Sequence, residues 1–199
     1  MIEYIPIFPT SGDTTLAMIR KFGLVVGALV LAIAPLFAQT LPSLPDTGKT
    51  PGVALEVVPT NSAACLTNLL GDTVRSGDPV TLPMICTPGY TKCIRAVTAS
   101  VKKSVYTSYG LEGNHTGYCD STQGCEVDHL ISLEIGGSNA QKNLWPQPYQ
   151  GETMNAHVKD QLESWLHNEV CAGRMPLKQA QDEISSNWIT SYNNHLGSK

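Results

Sequence analysis

Apolar residues recur at helical spacing in three stretches of the chain. Val97, Val101 and Val105 come every four residues, Tyr109 follows and Gly110 supplies a stop, which predicts a helix over 97–109. A second helix is predicted over 154–171, with Val158, Leu162, Trp165, Leu166 and Val170 on one stripe and Gly173 just past its end. The third starts at Pro176, a favoured first-turn residue, and sets Leu177, Ala180, Ile184 and Trp188 on one face. Between the first and second lie two short extended pieces, 126–133 and 143–145. Gly136-Gly137 and Ser138-Asn139 mark the loop joining them. The order is helix, strand, loop, strand, helix, helix, with no internal repeat.

Upstream the pattern fades. Residues 39–79 are rich in Pro, Thr, Gly and Ser, and 41–59 reads as a linker or extended arm that Cys65 ties to the domain behind it. We therefore expect an arm over 39–81 and a compact domain over 82–195. Before it, Arg20 and Lys21 precede seventeen uncharged residues, 22–38, ending in small residues at Ala38. That is the layout of a secretory signal over 1–38, with Met18 as a possible true start. A retained anchor is the other reading, but the run is short for a span and Pro35 interrupts it. Export to the periplasm or medium is the expectation, with no membrane association after cleavage.

The six cysteines all lie after that segment, and an even count in an exported chain predicts disulfides. Cys119 with Cys125, flanking a short turn, is the expected pair. A structural zinc site is the rival, although no Cys-x-x-Cys occurs. The net charge of −4 rules out a global basic field for holding nucleic acid. A local patch remains: Lys92, Arg95, Lys102 and Lys103 lie within 86–110, where no acidic residue occurs. Lys92 and Arg95 are candidate phosphate contacts, Arg95 foremost because it comes after a Pro-Gly-Tyr turn. A solvated helix face is the other reading of Lys102 and Lys103.

Asp128-His129 is a weak signal alone, because neighbours on a strand face opposite ways unless the strand ends or twists there. Its surroundings strengthen it. The stretch from Asp128-His129 through Gly136-Gly137 to Asn143-Leu-Trp-Pro146 resembles the core of HNH endonucleases, the ββα-metal family, in a form found in exported bacterial members. Cys86-Thr-Pro-Gly-Tyr-Thr-Lys-Cys-Ile-Arg95 looks like their leader, and the resemblance covers about 86–192. It implies an α+β fold, a two-stranded hairpin plus helix, here with additional packing helices and disulfide staples.

The resemblance makes His129 a general base, a task suited to an imidazole of ordinary pKa near 6.5. It makes Asp128 a ligand of a divalent ion, most readily Mg²⁺, with Mn²⁺ or Zn²⁺ open, and Asn143 the residue that orients His129 or braces the loop. Where the family often carries a further histidine, this chain has Glu152, then Asn155 and His157. At about 100° per residue, Asn155 shares the inward stripe with Val158 and Leu162, provided the helix has begun there, and His157 faces away. Asn155 is therefore the second expected ligand. A related group of non-specific DNA/RNA endonucleases is similar at Asn143-Leu-Trp-Pro-Gln147, Asn155 and Leu162-Glu163, which implies that Glu163 holds metal-bound waters. The Arg-Gly that precedes the histidine in that group is absent. Lys159 is expected to touch phosphate or to form a plain surface pair with Glu163. His115, His167 and His195 read as surface or structural residues, and the three tryptophans as core.

The expected activity is endonucleolytic hydrolysis of DNA or RNA with little sequence preference, since no base-reading module is recognisable. The mature chain is expected to be monomeric. An immunity or inhibitor protein is a further expected partner should the chain act as an effector. The alternative is a non-catalytic secreted binding module on the same scaffold.

Overall fold

The computed structural model describes residue 41 and residues 43–111, 124–149 and 153–197. The expected signal over 1–38, together with His115, Cys119 and Glu152, lies outside them. The described residues are mixed helix and sheet. Helices α1 (Ala63–Leu70), α2 (Leu82–Ile85), α3 (Tyr90–Ile94) and α4 (Ala99–Ser108) precede β1 (Cys125–His129). Then come β2 (Leu144–Pro148), α5 (Ala156–Cys171) and α6 (Leu177–His195).

The strands pair antiparallel, with Cys125 opposite Pro148 and His129 opposite Leu144. The flanking bonds Leu130 N to Asn143 O and Tyr149 N to Gly124 O fix the phase of the ladder. Pro146 and Pro148 fall on its non-bonded positions, where a missing N–H costs nothing. β1 ends four residues earlier than the apolar pattern predicts, for a definable reason. Asn143 donates from Nδ2 to the Ile131 carbonyl (2.9 Å) and accepts at Oδ1 from the Ile131 N–H (2.9 Å). One carboxamide thus replaces a strand partner and releases the chain into a 3₁₀ turn, Leu133–Ile135.

Two apolar clusters flank that turn. Trp145 from β2 packs with Leu162, Leu166 and Val170 of α5 and with Ala180, Ile184 and Trp188 of α6, joined by Ile135. Leu133 enters the other cluster, with Val58, Leu66, Ile85, Tyr90 and Ile94. Each fully buried side chain of this size contributes about 1.5–3 kcal/mol. The predicted stripes of α5 and α6 supply the first cluster, although α6 is broken at Asn187 (φ −164°, ψ 94°). There the Asn187 side chain accepts from Thr190 N and restarts the helix. Trp165 is half-buried and stacks on His195.

The region expected to be an arm is built into the fold. Residues 52–55 lie along the loop between the strands: Leu55 N donates to Gly136 O, Ser138 N to Val53 O, and Gly52 N to Lys142 O. Helix α1 comes next, and Val58, Leu66 and Val74 are buried. Part of this order comes from backbone bonds between 52–55 and a distant loop, which leave no periodic trace, and Cys65 ties the segment to Cys93 of α3. Gly137 makes the contact possible. A Cβ there would meet the Ile131 carbonyl oxygen at 1.8 Å.

Disulfides Cys65–Cys93 and Cys86–Cys171 staple α1 to α3, and the end of α2 to the end of α5. Cys125 is also disulfide-bonded, whereas its expected partner lies outside the described residues. These bonds fit an oxidising compartment and leave no described cysteine for zinc. Among the described residues no helix is long and apolar enough to cross a membrane. Replacing Cys86 and Cys171 together by Ser should cost roughly 3–5 kcal/mol. Urea denaturation monitored by circular dichroism measures it.

Candidate active site

The site forms where β1 runs out against the first turns of α5. Lys159, on the inward side of α5, is fully buried. Its Nζ donates to Asp128 Oδ2 (2.7 Å), to the His129 carbonyl oxygen (2.7 Å) and to Glu163 Oε1. An ammonium has three donors, and all three are used. Glu163 Oε2 in turn accepts from Ser132 Oγ (2.8 Å). Burial works against the charged amine, yet Asp128 and Glu163 outweigh it and hold the Lys159 pKa above its ordinary value. Burial pushes the Glu163 carboxyl up, against the pull of Lys159 and Ser132.

This overturns one expectation and narrows another. Lys159 has no exposed surface with which to meet a phosphate, and its bridge to Glu163 is a core pair rather than a surface one. Both Glu163 oxygens are engaged inside the protein, by Lys159 and Ser132. The sequence did hold a signal, because residue 159 falls on the same buried stripe as Leu162 and Leu166. Its charged character argued for the surface, where most lysines lie.

His129 is the last residue of β1 and only 4% exposed. Its Nε2 lies 3.1 Å from Asn139 Oδ1, a partner the sequence marked only as a loop residue. Burial lowers the His129 pKa, with Asp128 and the Asn139 bond acting the other way and Arg95 and Lys159 reinforcing burial. Burial thus favours the neutral form of the imidazole. Asn143 does not touch His129. Besides Ile131, its carboxamide accepts from Val53 N (3.1 Å) and donates to Ser138 O (2.8 Å), so it braces the loop.

Asn155 is the N-cap of α5, with extended φ/ψ, and its side chain accepts from Val158 N (3.3 Å). The helix begins one residue later than the helical-wheel argument requires, so capping rather than the stripe sets the direction of this side chain. It stands one turn before Lys159, at i,i+4 spacing. His157 is exposed and meets Tyr149 edge-on. Comparison with protein families, curated proteins and solved structures finds no match. The chemistry has to be argued from these residues alone.

Around the pair lie further charges. Glu126, two residues before Asp128, is pushed up to about 7 by burial and by Asp128 and Asp160. Asp160 is also raised, by burial and then Asp128. Arg95, Lys92 and Lys102 are exposed. The fields of Arg95 and Lys102 reach His129 and Glu126 respectively. Among the described residues no three His, Cys, Asp or Glu side chains are grouped to hold a metal. His167 bonds the Glu134 carbonyl (2.7 Å) and His195 bonds Glu183 (2.7 Å), both structural uses.

Lys159→Met should destabilise the fold by about 3–5 kcal/mol, because Asp128 and Glu163, both largely shielded from solvent, lose their counter-ion. Adding Glu163→Leu should recover most of that loss. Equal melting of the single and double variants by calorimetry would contradict the charge argument.

Proposed function

We propose that the protein is a divalent-metal-dependent nuclease of the HNH type, hydrolysing phosphodiester bonds of DNA or RNA with little sequence preference. The observation that carries this reading is His129: a buried imidazole at the end of β1, adjoining the carboxylate of Asp128. An imidazole so placed can serve as a general base.

The donors at hand suit a hard cation. Asp128 keeps Oδ1 beyond its bond to Lys159, and Asn155 offers a side-chain carbonyl oxygen, whose two lone pairs can serve a cap and an ion together. So few protein oxygens suit an ion that retains most of its water, as Mg²⁺ does, and not a protein-caged zinc. Asp128 and Asn155 would hold it, and when bound it neutralises charge on the phosphate.

In the reaction a water oxygen bonds to phosphorus as the bond to the leaving ester oxygen breaks. His129 accepts the proton that the water loses. Lys159 pins Asp128 and the His129 carbonyl, fixing where base and carboxylate stand. Arg95, exposed just after α3, would meet a phosphate, as would Lys92 within that helix. One observation favours the other reading, a secreted binding module: Lys159 already balances Asp128 without any ion.

Plasmid and RNA degradation by residues 39–199, with Mg²⁺ or with EDTA, separates the two. Cleavage should need the metal and fall by at least about a hundredfold in His129→Ala, with circular dichroism unchanged. No cleavage with Mg²⁺, Mn²⁺ or Zn²⁺ would favour the binding module. Asn155→Ser, which keeps a capping oxygen, should raise the Mg²⁺ concentration needed, whereas His157→Ala should be close to silent.

The pH dependence has a definite sign. Only the neutral imidazole is a base, and its pKa is lowered in the folded state. The acidic limb of kcat/KM should therefore fall below pH ~6.5, the ordinary histidine value. A limb above that value would contradict the assignment.

A further inference from the structure

The proposed chemistry leaves open which ring nitrogen of His129 is the base. The bonds around Asn139 decide it. Asn139 Nδ2 donates to the Ile94 carbonyl oxygen (2.8 Å), an acceptor only. The Ala96 N–H, a donor only, points at Asn139 Oδ1 (3.3 Å). The two contacts fix the carboxamide orientation independently of the histidine: oxygen on one side, amide nitrogen on the other. The atom that faces His129 Nε2 at 3.1 Å is therefore an acceptor, and Nε2 must carry the hydrogen. In the neutral ring the lone pair is then on Nδ1, which engages no hydrogen bond among the described residues.

We infer that Asn139 is a positioning residue, anchored on the end of α3, that locks His129 in its Nε2–H tautomer and makes Nδ1 the basic atom. The inference rests on the nuclease reading for its catalytic meaning, but the tautomer itself does not. The anchor is rigid. Ile94 is fully buried, and its neighbour Cys93 is disulfide-bonded to Cys65. Of the charged groups around the ring, Arg95 after α3 and Lys159 on α5 are donors only, and Asp128 on its own strand acts on the ring through its charge and not through a hydrogen bond. Asp128 Oδ2 is taken by Lys159.

The test has two arms. Two-bond ¹H–¹⁵N correlation spectra of the intact mature chain near pH 8, with assigned histidines, report each ring's tautomer directly. The wild type should show His129 with Nε2 protonated and Nδ1 bare, and Asn139→Ala should show a mixture. A wild-type ring protonated at Nδ1, or an unchanged Nε2–H form in Asn139→Ala, would overturn the inference.

The second arm is kinetic. Asn139→Ala should lose roughly ten- to a hundredfold in kcat with KM little changed. Asn139→Asp, which still accepts from Nε2 but loses the donor to the Ile94 carbonyl, should recover part of kcat and move the acidic limb of the pH profile upward, because a carboxylate favours the imidazolium. Loss in both variants with an unmoved limb would reduce Asn139 to a loop brace. If the wild type cleaves neither DNA nor RNA, the nuclease reading fails, while the spectra still decide the tautomer.

Discussion

The fold around the site depends on one buried charge. An ammonium withdrawn from water costs several kcal/mol unless its surroundings replace the solvent completely. Lys159 meets that condition with two carboxylates and a backbone carbonyl drawn from two places in the sequence, Asp128-His129 and Glu163. Satisfying it requires the end of β1, the second turn of α5 and, through Ser132, the start of the loop to meet at one point. Hydrophobic packing alone tolerates small slides between a hairpin and a helix. A saturated ion cluster does not, because any slide exposes an unpaired charge to an apolar interior.

Asn143 plays the complementary part with neutral bonds. Its single carboxamide reaches Val53, Ile131 and Ser138, and so joins the upstream segment, the strand end and the loop. The 3₁₀ turn between these anchors contributes Leu133 to one apolar cluster and Ile135 to the other. His129 is gripped through its carbonyl by Lys159 of α5 and through its ring by Asn139, itself bonded to the end of α3.

The elements with a period were legible in the sequence. Val158, Leu162, Leu166 and Val170 announced α5, and Ala180, Ile184 and Trp188 announced α6, because one-sided burial imposes that spacing. The hairpin was legible as two apolar runs around Gly136-Gly137, but not its limits, since a side chain rather than a turn ends β1. Helix α1 and residues 52–55 were hidden, their order coming from long-range backbone bonds and the Cys65–Cys93 link. At the site, Asp128 and His129 drew attention by type. Lys159 was read as a phosphate contact or surface pair and Asn139 only as a loop residue, because each belongs to a class usually found on surfaces or in turns, and only the fold reveals what it touches.

The Cys86–Cys171 bond also changes the topology of the chain. It closes a covalent ring, and Lys92, Arg95, Asp128, His129, Asn139, Asn143, Asn155, Lys159 and Glu163 all lie on that ring. A protease that severs one peptide bond within the ring opens it without dividing the molecule. Both new ends stay tethered, and the cut chain keeps every one of these residues at high effective concentration with the rest. A single nick is then an injury to the loop that bears it and not a loss of the site.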